Sequence, residues 1–189
     1  MMPTLESLPP RRLIGLVGPP GVGKSTLAER LAAADSAAAV LPMDGFHLPQ
    51  GRLRELGRRE RMGAPDTFDV EGFTRVLQEL RSHETVTAPS FDRSIEEPVP
   101  GAITIGRGIR TVYVEGNYLL VWEGIAELLD ETWYLELDPE VRRRRLIDRH
   151  VASGKSPDAA AAWVVDVDEP NARLIAASAA RATRAVAVD

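Results

Sequence analysis

The segment GLVGPPGVGKSTLAERL, residues 15–31, places four glycines, two prolines and a lysine between two apolar stretches. Residues 13–17 read as a short buried strand, while Leu27, Ala28 and Leu31 recur at helical spacing, so the turn joins a strand to a helix N-terminus. Glycine lets consecutive backbone N–H groups point into one concavity, and the helix dipole makes that concavity electropositive. Such a shape suits a polyphosphate better than any side chain. Gly18, Gly23, Lys24 and Ser25 satisfy G-x-x-x-x-G-K-[ST], with Gly21 and Val22 completing the loop. Lys24 is expected to reach the β- and γ-phosphates of ATP, the Ser25 hydroxyl to help hold Mg²⁺, and Thr26 to donate a further hydrogen bond. The plain alternative is an ordinary glycine-rich turn. The complete pattern in its strand–loop–helix context weighs against it.

Apolar, β-rich runs at 13–17, 38–43, 111–115, 132–137 and 184–188 alternate with segments of helical pattern, the signature of a βαβ fold. Phe73, Val76, Leu77 and Leu80 follow helical spacing and predict a helix over 70–81 with one apolar face. Residues 103–105, bracketed by Gly101, Gly106 and Gly108, read as a small edge strand. The alanine-rich stretch 159–182 reads as helix, interrupted near 168–170. With 189 residues and no linker composition, one domain over 1–189 is expected, large enough for a three-layer core. Cysteine is absent, which removes disulfide frameworks, thiol catalysis and Cys-ligated zinc. The opening MMPTLESLPPRR has no signal-like apolar run, and no stretch approaches a membrane span, so a cytoplasmic location is expected. A net charge of −5 argues against a broad nucleic-acid footprint.

Three further segments carry chemistry. In LPMDGFHLP, residues 41–49, Asp44 stands at the carboxyl end of the second strand, the edge where open α/β sheets bind ligands. A carboxylate there can take the proton of an attacking hydroxyl and orient its oxygen. An Asp-Gly turn explains the same residues equally well. In TVYVEGNYLL, residues 111–120, a strand delivers Glu115 to that edge, where it can serve Mg²⁺ or simply meet solvent. In DPEVRRRRLIDRH, residues 138–150, Arg142, Arg145 and Arg149 share a helical stripe, with Ile147 and Val151 opposite as an expected apolar anchor. Such arginines can neutralise charge on a transferring phosphoryl group, or form a solvated face. His47, His83 and His150 match no metal-ligand pattern, and His47 alone shares a loop with Asp44.

Together, GPPGVGKST, MDGFHLP, RMGAPDTFD, EGNYLL and the arginine-rich segment resemble the P-loop small-molecule kinases that include uridine kinase, type I pantothenate kinase and phosphoribulokinase. The resemblance runs along nearly the whole chain. It implies a P-loop three-layer sandwich with a five-stranded parallel sheet in order 2-3-1-4-5, flanked by helices, and a lid segment near 138–155. It also implies that Asp44 is the catalytic base, that 66–69 and 89–98 contact the acceptor, and that Asn171 does so too. The expected substrate-binding residues are therefore His47, Asp66, Asp69, Arg93 and Asn171. Asp66 and Asp69 could equally cap the helix beginning near 70. The chain lacks the extended N-terminal part of pantothenate kinases, and its acceptor loops depart from those of uridine kinases, so the acceptor stays open.

The function expected is transfer of the γ-phosphoryl of MgATP to a hydroxyl of a small metabolite: a nucleoside, a pantothenate-like acid or a sugar. Lys24 and the loop amides hold the phosphates, Ser25 and Glu115 serve the metal, Asp44 orients the acceptor, and Arg145 or Arg149 stabilises developing charge. The alternative is a slow regulatory NTPase switch, although no N-K-x-D sequence occurs and the D-x-x-G match at 69–72 follows no suitable strand. A third option is a non-catalytic relic. The partner expected is a small hydroxyl acceptor, without nucleic acid or membrane, and a homodimer is left open.

Overall fold

A computed structural model describes residues 10–189; residues 1–9, and with them most of the N-terminal segment judged above for a signal, lie outside the description. The chain opens on β1 (Arg12–Val17), whose residues are buried on both faces after Arg12. Leu13 and Val17 point into one apolar cluster, Ile14 and Leu16 into another, the period-2 alternation of a central strand covered on both sides. The glycine-rich turn follows and leads into α1 (Lys24–Ala33), which packs with Ala28, Leu27 and Leu31 against the Ile14–Leu16 face.

β2 (Ala38–Pro42) precedes a single turn of 3₁₀ helix, Met43–Phe46, then the short α2 (Gln50–Glu55) and α3 (Val70–Ser82). Phe73, Val76, Leu77 and Leu80 of α3 are buried on the Leu13–Val17 face, as their spacing predicts. A hairpin comes next, β3 (Val86–Asp92) and β4 (Glu97–Ile105). β5 (Thr111–Gly116), β6 (Glu131–Glu136), α4 (Pro139–Ala152), α5 (Pro157–Trp163), a π-helical turn Val164–Asp168, α6 (Glu169–Ala177) and β7 (Arg184–Ala187) complete the chain.

The main sheet has five strands in order β2-β5-β1-β6-β7, every pair parallel. Numbered among themselves, these strands run 2-3-1-4-5, the expected order. β1 sits in the middle and holds its register along β5 from Arg12 opposite Thr111 to Val17 opposite Gly116. The strands' carboxyl ends thus bring the turn after β1, the turn after β2 and the end of β5 to one edge.

Two expectations are corrected. Residues 103–105 do lie in an edge strand, but a longer one than expected: they end β4, a nine-residue strand that pairs antiparallel with β3 in a separate two-stranded sheet. Pro89, Pro98 and Pro100 hid β3 and the first part of β4 from the sequence pattern, and proline is tolerated here because a two-stranded ribbon consists of edges only. A register shift between Ala88 and Ser90 marks the irregularity. On α4 the buried residues are Arg142 and Leu146, and Val151 is exposed, so the Ile147–Val151 face does not anchor the helix. The Arg142 guanidinium is instead neutralised by Glu169 and donates to the Pro20 carbonyl at 3.2 Å, which lets an arginine occupy the inner face.

Arg11 ties distant parts together. Its guanidinium donates to the carbonyls of Leu80, His83, Glu84, Gly106 and Ile109, gathering the C-terminus of α3 and the connection after β4 onto the start of β1. Burial without an acidic partner holds its pKa below the ordinary arginine value.

Candidate active site

The turn after β1 wraps a concavity at the head of α1. Gly21 (φ 81°) and Gly23 (φ 99°) take left-handed backbone conformations that favour glycine, and Gly23 caps α1 without a side chain. Gly21 is required twice over, since a β-carbon there would lie 2.8 Å from Leu146 Cγ and 3.0 Å from the Arg142 carbonyl oxygen. That contact is how α4 seats on the loop. No acidic residue occupies the first turn of α1, as suits an anion site.

Lys24 is buried, and its ammonium donates to the carbonyls of Gly18 at 2.9 Å and Pro19 at 3.2 Å. Loss of solvent pushes its pKa down to about 8, although the carboxylates of Glu115 and Asp44 pull the other way. The Ser25 hydroxyl donates to Glu115 Oε1 at 3.1 Å. Glu115 is itself buried, and desolvation together with the neighbouring Asp44 raises its pKa. Asp44 follows β2 in the Met43–Phe46 turn and accepts a hydrogen bond from Arg93 Nη2 at 2.7 Å. The turn is pressed against the hairpin: a β-carbon on Gly45 would stand 2.1 Å from the Pro89 carbonyl oxygen. His47 Nδ1 lies 2.8 Å from the Asp44 carbonyl oxygen, and its ring stacks between Phe68 and Phe91 at centroid distances of 4.0 and 4.6 Å. Burial lowers the His47 pKa.

These groups line one cleft of about 840 Å³. Its wall contains Gly21, Val22, Gly23, Lys24, Ser25, Thr26, Asp44, His47, Arg93, Glu115, Arg145, Arg149 and Asn171, and does not contain Gly18, Asp66, Asp69 or Arg142; of the segments 66–69 and 89–98 it also takes in Phe68, Phe91 and Glu96. Gly18 contributes its carbonyl to Lys24. Asp69 caps α3, accepting from the Gly72 N–H at 2.9 Å, and Asp66 pairs with Arg61 at 2.7 Å and Arg58 at 3.3 Å, both outside the lining. Arg149, exposed at the cleft mouth but with part of its hydration displaced by the surrounding walls, has its pKa lowered by that loss of solvent, and Arg145 donates to the Asp189 carbonyl oxygen at 2.8 Å.

Several lining residues had no sequence signal. Residues 186–189 reach the cleft because β7 lies beside β6, and Trp163 and Asp168 reach it across the π-helical turn. Asp168 meets His150 at 2.8 Å, and Lys155 stands 4.4 Å over the Trp163 ring.

Mg²⁺ in phosphate sites is usually held by one or two protein groups together with the phosphates. The pairing of Ser25 with the buried Glu115 at the head of α1 fits that demand, a carboxylate in need of positive charge beside a hydroxyl at the loop.

A pH dependence follows from Lys24. A bound polyphosphate favours its charged form, so binding above about pH 8 must take up a proton, and affinity falls as pH rises through that value. The expected result is ATP binding about tenfold weaker at pH 9 than at pH 7. Calorimetric titration in buffers of different ionisation enthalpy checks it; no proton uptake at pH 9 would count against a buried neutral lysine in the free protein.

A loop that cradles phosphates, with a carboxylate-bearing turn and cationic helix facing it, defines a P-loop nucleotide-binding protein. The chain belongs to the P-loop small-molecule kinases. It is 44% identical over 133 residues to the ATP-dependent kinase-like protein notR' of Aspergillus versicolor, covering 64% of this chain and 77% of that one. It is 37% identical over 161 residues to a Schizosaccharomyces pombe protein provisionally named uridine kinase C227.14, covering 76% and 68%. A crystal structure from Silicibacter sp. TM1040, provisionally named a fructose transport system kinase, superposes with a TM-score of 0.89 at 40% identity, covering 96% of this chain and 92% of that one. No family model matches the chain. Among the described residues no helix is long and apolar enough to cross a membrane.

Proposed function

We propose that the chain transfers the γ-phosphoryl group of MgATP to a hydroxyl of a small metabolite. The supporting observation is that Asp44 shares one cleft with Lys24 and Ser25, so a base and a phosphate cradle face the same space. In this reading the loop amides and Lys24 hold the phosphates, and His47 and Asn171, which line the same cleft, contact the acceptor. Ser25 and Glu115 would hold Mg²⁺, which when bound supplies positive charge to the phosphate oxygens. The acceptor oxygen attacks γ-phosphorus, the bond from that phosphorus to the β–γ bridging oxygen breaks, ADP leaves, and the hydroxyl proton passes to Asp44. Arg145 and Arg149 neutralise the charge that develops, with 138–155 closing as a lid over a single 1–189 unit.

The relatives' names point to nucleoside or sugar acceptors for those proteins. ADP release by the purified chain is the test, measured with MgATP alone and with a panel of nucleosides, pantothenate and sugars. Acceptor-dependent release is expected. Release that no acceptor alters would mark a regulatory NTPase, and no release at all a relic; either would overturn the reading.

A further inference from the structure

The hairpin tip holds an arginine in an unusual position. Arg93 sits at the turn between β3 and β4, directly over Asp44, and donates one hydrogen bond among the described residues, Nη2 to Asp44 Oδ2 at 2.7 Å. Its side chain is 69% exposed. Arg11 is the contrast: buried, it distributes its donors over five backbone carbonyls and has a structural use for nearly all of them.

The tip itself is well held. Gln50 Nε2 donates to the Ile95 carbonyl at 2.9 Å, the Gln50 N–H to Glu97 Oε2 at 3.2 Å, and Arg59 pairs with Glu96 at 2.5 Å. The hairpin is also pinned to the Asp44 turn by the close approach of Gly45 to Pro89. Arg93 is therefore presented to Asp44 by a fixed scaffold, not brought there by a wandering loop. The neighbouring acids are engaged elsewhere, Glu96 with Arg59, and Asp92 with the N–H and hydroxyl of Ser94 at 2.8 and 2.6 Å. A new anionic partner for Arg93 has to come from a ligand.

Resting on the kinase reading above, we propose that Arg93 selects an acceptor carrying an anionic group, a carboxylate or a phosphate monoester, a few bonds from the hydroxyl that is phosphorylated. In the free protein Arg93 rests on Asp44. The acceptor's anion takes over the guanidinium, and Asp44 is released to receive the hydroxyl. The guanidinium keeps one anionic partner throughout, while the released Asp44 carboxylate stays in the cleft, free to take the hydroxyl proton. An exposed pair is weak and readily exchanged. A guanidinium fork closing on a carboxylate or phosphate within the occupied cleft makes paired, charge-assisted hydrogen bonds, which a neutral polyol cannot match.

The experiment compares matched acceptors in the ADP-release assay at saturating MgATP: D-gluconate with D-glucose, D-glycerate with glycerol, fructose 6-phosphate with fructose, and uridine as a neutral nucleoside. Preference for the anionic member of a pair is expected, the first two pairs reporting a carboxylate and the third a phosphate. R93Q should raise KM for that anion by about 10- to 100-fold and leave KM for ATP within about twofold, so that the ratio of kcat/KM between the anionic and the neutral member falls by a similar factor, with R93K recovering part of the loss. A neutral acceptor preferred, or an anion-to-neutral ratio that R93Q does not change, would overturn the proposal while the kinase reading stands. ADP release that responds to no compound retires both.

Discussion

Lys24→Ala is expected to lower ATP turnover by about 10²- to 10³-fold or more, the scale on which a preorganised charge at a developing anion acts. The ammonium sits at the head of α1 and, among the described residues, donates to the Gly18 and Pro19 carbonyls. It contributes a charge to the phosphates and little to the core. Because it is buried at a cost in desolvation, removing it relieves a penalty as well as deleting two hydrogen bonds, so thermal unfolding should change little. Steady-state ADP release read beside a melting curve separates the two effects. Turnover near the wild-type value in a folded variant would refute the assignment of the loop to phosphates.

Asp44→Asn is expected to cut phosphoryl transfer by about 10²- to 10⁴-fold with ATP affinity retained, the range for losing a positioned general base. The amide keeps the shape of the turn and can still accept from Arg93, but it cannot take the hydroxyl proton. Weakening an exposed ion pair of this kind costs no more than about 1 kcal/mol, so the variant should fold. Single-turnover transfer and equilibrium ATP binding are the paired measurements. If affinity for ATP fell as far as the rate, Asp44 would belong to the nucleotide or metal site and not to the acceptor.

The five parallel strands and α3 were legible because each strand is an apolar, β-rich run and α3 a strict apolar stripe; the helix predicted over 70–81 is Val70–Ser82. The hairpin was not, since its prolines and exposed alternation erase the pattern of a buried strand. Nor was the inner face of α4, where periodicity assigns Arg142 outward and only a partner from α6, Glu169, makes its burial tolerable. Pro170 signalled a break in the alanine-rich stretch, but not that the chain would pass it through a π-helical turn that keeps α5 and α6 nearly continuous. At the site, the phosphate loop, Asp44 and Glu115 were readable because each ends a recognisable strand. The cleft walls from 163–168 and 186–189 were not, because the end of α5, the π-helical turn and β7 reach them through topology rather than local pattern.

The central place of β1 has a consequence for how the molecule is made. Its neighbours among the described residues are β5, paired from Thr111, and β6, paired from Glu131, so β1 waits for roughly the hundredth residue beyond it before it gains either ladder partner. At translation speeds of about 5–20 residues per second that is a delay on the order of 5–20 s, and contacts of such long separation are slow to form in any case. The phosphate loop thus leaves the ribosome about a hundred residues ahead of the strand that pairs with β1. Throughout that interval its flanking apolar strand is exposed, which makes the nascent chain, and not the finished protein, the form most in need of a chaperone.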